Sequence, residues 1–83
     1  MDSVRLTGIR PGFARVFVGS REIGYVERSY IWDANYGVRG IYHGPEWTPF
    51  DAHGEPLRER LRVRRFDTRA EAVRALRGKD GGE

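Results

Sequence analysis

Apolar and polar residues alternate in short runs along the first thirty positions of the chain, and a helical spacing appears only near its end. Phe13-Ala14-Arg15-Val16-Phe17-Val18 is dense in β-branched and aromatic residues and predicts a strand. Gly19-Ser20-Arg21 marks a turn, and Ile23-Gly24-Tyr25-Val26-Glu27-Arg28-Ser29-Tyr30 predicts a second strand, so the two read as a hairpin. Upstream, Val4-Arg5-Leu6-Thr7-Gly8-Ile9 alternates as a short edge strand that Arg10-Pro11-Gly12 would end. Tyr30, Trp32, Ala34 and Tyr36 share one face if the chain stays extended, so residues 31–36 either continue the second strand or form a bend. Asn35-Tyr36-Gly37 suggests a turn, and Val38-Arg39-Gly40-Ile41-Tyr42 a further short strand.

Between residues 43 and 57 the chain carries Gly44, Pro45, Pro49, Gly54 and Pro56. This density of breakers predicts a long loop, which Trp47 and Phe50 would fold back on the body. Arg60-Leu61-Arg62-Val63-Arg64 has period two, predicting a strand with Leu61 and Val63 inward and Arg60, Arg62 and Arg64 outward. Asp67-Thr68 then opens a helix: Thr68 at the N-cap and Glu71 three residues on form a capping box. Ala72, Val73 and Leu76 make the inward stripe, Ala70 and Ala75 permit close approach to a sheet, and Gly78 supplies a stop. Phe13, Phe17, Phe66 and at least one tryptophan are expected in the core. The expected fold is α+β: an antiparallel sheet of three to four strands with one C-terminal helix packed on one face. It forms one domain over residues 1–78, and residues 79–83 are expected to be a disordered tail.

Composition adds bounds. Eighty-three residues suffice for one domain with a small core. Without cysteine there is no disulfide and no thiolate metal site. No apolar run follows Met1 or approaches spanning length, so neither a signal peptide nor a membrane span is expected, and the cytoplasm is the expected compartment. Net charge is +3 but unevenly placed. Up to Leu57, six arginines against seven carboxylates leave −1; from Arg58 to Gly78, eight arginines against three carboxylates leave +5. Fourteen of the fifteen basic residues are arginine, the side chain that grips phosphate and carboxylate in a planar fork.

That concentration is the feature that points to a partner. Outward arginines at Arg60, Arg62 and Arg64 would lie roughly 6.6–6.8 Å apart on a strand, near the spacing of a nucleic-acid backbone. Arg65, Arg69, Arg74 and Arg77 extend the positive surface, and aromatics such as Tyr30 and Trp32 are available to stack on bases. The competing structural account is a solvated face whose arginines pair with Glu22, Glu27 or Asp33 across the sheet. Trp47 is the aromatic most expected to be exposed, and so to contact a partner. His43 and His53, with Glu46 and Asp51 between them, match no strong metal motif, and no metal or other cofactor is expected. Nor does any nucleophile or phosphate-cradling motif appear, so the protein is expected not to be an enzyme.

Gly24 and Val26 in the second strand, Trp32 and Ala34 after it, and a closing Phe-x-Thr-x-x-Glu-Ala-x-x-x-Leu over Phe66, Thr68, Glu71, Ala72 and Leu76 carry a family resemblance. The chain resembles the small arm-type DNA-binding domains of tyrosine-recombinase phage integrases. The resemblance implies a three-stranded sheet set into the major groove with one helix behind it, in a protein of phage or mobile-element origin. Here the stretch from 43 to 56 is longer than such a domain needs, and Glu22, Glu27 and Asp33 add acidity to the early strands. The expected function is a non-enzymatic accessory module for double-stranded DNA, using Arg60, Arg62, Arg64, Arg65, Arg69, Tyr30 and Trp32. The alternative is a protein-interaction module using Tyr42, Trp47 and Phe50, or an exposed sheet edge. No membrane partner is expected, and a homodimer through an edge strand stays open.

Overall fold

The computed structural model describes residues 3–33 and 41–80. It is α+β, as the pattern predicts. The elements are β1 (Val4–Arg10), β2 (Phe13–Val18), β3 (Arg21–Asp33), β4 (Ile41–Asp51), β5 (Arg58–Glu59), β6 (Arg62–Val63) and α1 (Arg69–Asp80). Strands β1 to β4 form one antiparallel sheet in sequence order, and β5 and β6 form a separate two-stranded hairpin. The turns follow local chemistry. Pro11-Gly12 joins β1 to β2 with Gly12 at φ +77°, and Gly19-Ser20 joins β2 to β3 with Gly19 at φ +62°.

One face of the sheet carries Ala14, Val16, Val18 and Val26 and is closed by α1 through Ala72 and Leu76 and by Leu57. Thr68 caps the helix: its Oγ1 accepts the Glu71 N–H at 3.2 Å and its hydroxyl donates to the Glu71 carboxylate at 3.0 Å. Glu71 thus reaches the capping hydroxyl rather than the backbone N–H expected of it. Ala72 and Leu76 are buried and Val73 half-buried, as the stripe predicts, whereas Ala70 is exposed.

Several expectations are corrected. Residues 43–51 are not loop; they belong to β4, paired with β3 from Gly24↔Asp51 to Asp33↔Ile41. The prolines fit because β4 is the last strand of the sheet. Its residues 47, 49 and 51 turn their backbone groups away from β3, so the N–H that Pro49 lacks belongs to the outer edge and not to the ladder. That outer edge is covered. Trp47 exchanges both backbone hydrogen bonds with Phe66, Pro49 O accepts from Leu57 N at 2.9 Å, and Asp51 N donates to Glu55 O at 2.8 Å. The helix does not stop at Gly78 either. It continues through Lys79 and Asp80, because Asp80 takes two hydrogen bonds from Arg21 at 2.6 and 2.9 Å and Lys79 reaches Asp51 at 3.3 Å. The expected turn at 35–37 and the N-terminal half of the strand expected over 38–42 fall outside the described residues.

These tethers make the C-terminal turn acid-sensitive. The Arg21 guanidinium holds the Asp80 carboxyl below its ordinary range. Burial pushes Asp51 up, but the N–H groups of Glu55 and His53 together with Lys79 outweigh it and leave the carboxyl below its ordinary range. Both folded-state pKa values are depressed, so the stabilisation is complete above the unfolded carboxylate range near about 3.9 and is lost as pH falls through the folded values. The melting temperature should therefore hold from neutral pH to about pH 5 and fall below about pH 4. In Asp80→Asn that acid-dependent fall should be shallower; an identical pH profile for parent and variant would contradict the assignment.

Candidate nucleic-acid interface

The strand expected to hold a row of arginines is instead a hairpin projecting from the outer edge of β4. Arg58 pairs with Val63 and Glu59 with Arg62, leaving Arg60 and Leu61 as the tip. Arg60 takes φ +60°, a conformation that L-residues adopt at a cost, and Leu61 is 91% exposed rather than inward. The period-two reading fails because the chain reverses inside the repeat: a two-residue tip resets which way successive side chains point. The base is pinned where Arg64 N donates to Leu57 O at 2.9 Å, one residue before the hairpin begins.

Reversal still brings most of the predicted arginines together. Arg60, Arg62, Arg64 and Arg65 line one open cleft of about 800 Å³ with Val63, Glu46 and Glu59. Four guanidinium groups against two carboxylates leave the cleft positive. Arg60, Arg62 and Arg65 are exposed and make no ion pair among the described residues. Arg64 differs: it is half-buried, its guanidinium 5.2 Å from the centroid of the Phe66 ring, so it packs as well as charges. Arg69 opens α1 and does not line the cleft. Arg58, on the hairpin and exposed, lines a different cleft with Leu57, Arg64 and Lys79.

The cross-sheet pairing that would neutralise these arginines does not occur among the described residues. Glu22 pairs with Arg15 on the neighbouring strand at 2.7 Å, and that hydrogen bond holds its carboxyl below the ordinary range. Asp51 and Asp80 are taken by Lys79 and Arg21.

Beyond Arg28, whose N–H donates to Gly12 O at 2.8 Å, β3 pairs with β4 alone. The two strands leave the body as a ribbon about 15 Å long on the β3 side. Tyr30 lies on this ribbon, 57% exposed, and Trp32 and Tyr42 are register partners on it. Residues expected to serve two different functions thus share one arm. Trp47 does not join them. It faces the helix side, packs against the core, and has the Arg28 guanidinium 5.9 Å from its ring. Its expected exposure followed from the expected loop and falls with it.

The sheet face away from α1 holds residues the sequence reading placed elsewhere. Phe13 and Phe17 point to this face, not into the core under the helix. Phe13, Tyr25 and Phe50 form a row across three strands: Phe13 and Tyr25 centroids are 5.5 Å apart, and Tyr25 and Phe50 stack at 4.7 Å and 8°. Arg10 lies 3.9 Å over Phe13, and Arg5 and Arg15 lie 5.0 and 5.6 Å over Phe17. The signal was present, since Arg15 sits in phase with Phe13 and Phe17 and out of phase with Ala14, Val16 and Val18. The rings spend their faces on one another and on guanidinium groups, which makes the row a second packing cluster more than a set of open platforms for bases.

No protein-family model, curated protein or solved structure matches this chain. Its reading therefore rests on the residues themselves. Among the described residues no helix is long and apolar enough to cross a membrane, and no three His, Asp or Glu side chains converge as metal ligands. His43 lies in β4 and His53 two residues beyond its end.

Proposed function

We propose that this protein is a small, non-enzymatic accessory module that binds double-stranded DNA through hairpin β5–β6 and the arginines at its base. One observation carries the reading: Arg60, Arg62 and Arg65 crowd one exposed cleft without carboxylate partners among the described residues, while the carboxylates of Glu22, Asp51 and Asp80 are committed to other cations. Like charges held together lower the stability of the free protein and are relieved by a polyanion, whose counterions are released on binding. The adjoining ribbon, carrying Tyr30, Trp32 and Tyr42, has the dimensions of an element that enters a major groove.

The test is fluorescence anisotropy on labelled duplex at two salt concentrations. Arg62→Ala/Arg65→Ala should weaken binding about tenfold or more at low salt and lower the salt slope by about one to two. These two positions are preferred to Arg64 because they carry no packing of their own. An unchanged slope in a folded double variant would sink the proposal.

A second reading has its own observation. The Phe13–Tyr25–Phe50 row is covered by no other described element, and an aromatic sheet face rimmed by arginines suits a partner protein. Of the residues expected to serve that role, this surface retains Phe50 and not Trp47. Absence of any duplex binding at low salt would move the function to this face.

A further inference from the structure

The hairpin tip presents one exposed apolar side chain flanked by arginines. Leu61 is 91% exposed, the highest value among the exposed large hydrophobic residues, and it lies between Arg60 and Arg62, with Arg58 on the paired strand. A lone exposed leucine is ordinary. This one sits where the backbone is strained at Arg60, φ +60°, and the hairpin behind it is closed by the Arg58↔Val63 and Glu59↔Arg62 pairs and anchored through Arg64 N to Leu57 O. A two-residue tip holding a fully exposed apolar side chain between arginines has a defined chemistry. The cations take phosphates along a groove, and the apolar tip reaches what lies between them, the stacked base pairs. We infer that Leu61 is a wedge that enters between base pairs, partly unstacks one step and bends the duplex held by the flanking arginines. The inference rests on the DNA-binding reading and adds to it the mode of engagement: a deformed duplex, with preference for flexible pyrimidine–purine steps.

The experiment uses the full chain and a duplex of about 20 base pairs carrying a donor and an acceptor at its ends and 2-aminopurine at a central TA step. Binding of the parent should raise both energy transfer and 2-aminopurine fluorescence. Leu61→Ala removes only exposed apolar surface, so its melting temperature should match the parent. It should bind with the parent's salt slope, since no charge is lost, but with affinity reduced about threefold to tenfold and without either optical change. Parent-like bending and unstacking by Leu61→Ala, or parent binding without either signal, overturns the wedge. If Arg62→Ala/Arg65→Ala still lowers the salt slope in that case, the DNA-binding reading survives. Failure of the parent to bind duplex at all overturns both.

Discussion

Gly24→Ala should cost at least about 3 kcal/mol, enough to lower the melting temperature by roughly 12 °C or more in a domain of this size. Gly24 sits at φ +149°, where an L-residue is strained. It also lies where β2 and β3 slip register between Val16 and Phe17. A Cβ there would run into the backbone carbonyl oxygen of Phe50 and come within 3.0 Å of Leu76 Cδ2. The carbonyl belongs to the neighbouring strand and cannot rotate aside without breaking the β3–β4 ladder. The leucine is the largest fully buried side chain and the helix's main anchor. Glycine at this position lets β4 and α1 both close on β3. Total stability for 83 residues is on the order of 4–12 kcal/mol, so the loss is a large share of it. Thermal or urea denaturation measures it directly, and a variant melting within a few degrees of the parent would show that the contact relaxes cheaply.

Trp47→Ala should produce a loss of similar size, about 3 kcal/mol, for a different reason. The ring packs half-buried against the core cluster, and its backbone exchanges two hydrogen bonds with Phe66 at 2.7 and 2.9 Å, which ties the segment after the hairpin to β4. Removing the indole leaves a space between the sheet and Phe66 that neighbours on two differently anchored segments cannot fill together. The same substitution should leave the salt slope of DNA binding unchanged in protein shown to be folded, because the hairpin arginines keep their charges. Denaturation and anisotropy on one preparation separate the two effects. A stable Trp47→Ala protein that lost its binding would return Trp47 to the contact role suggested by its expected place in a loop.

The arginine hairpin shows how a correct count can come with a wrong shape. Charge clustering after Leu57 was legible in the sequence, and so was the concern of Arg60, Arg62, Arg64 and Arg65 with one surface. The alternation that suggested a straight strand belongs to a turn. Nothing in Arg-Glu-Arg-Leu-Arg-Val marks a reversal, since neither glycine nor asparagine occupies the positive-φ position. The turn is imposed from outside, by Leu57 and Phe66 pairing with β4 and fixing the two ends of the excursion.

By itself the sequence determined the α+β class, the β2–β3 hairpin with an edge strand before it, the Thr68 cap and the helix stripe, because each depends on contacts within a few residues: a turn glycine, a capping hydroxyl, a repeat of 3.6 or 2. Tertiary structure decided what depends on distant partners. Pro45 and Pro49 became tolerable in a strand once β4 took the sheet's last position and the 55–66 segment covered its edge. The last helical turn persisted past Gly78 because Asp51 and Arg21, far away in the chain, supplied counter-charges. The same long-range pairing chose which arginines were neutralised and which were left facing solvent, and that choice defines the candidate site. Local propensities add along the chain, whereas partner assignment depends on which segments meet in space.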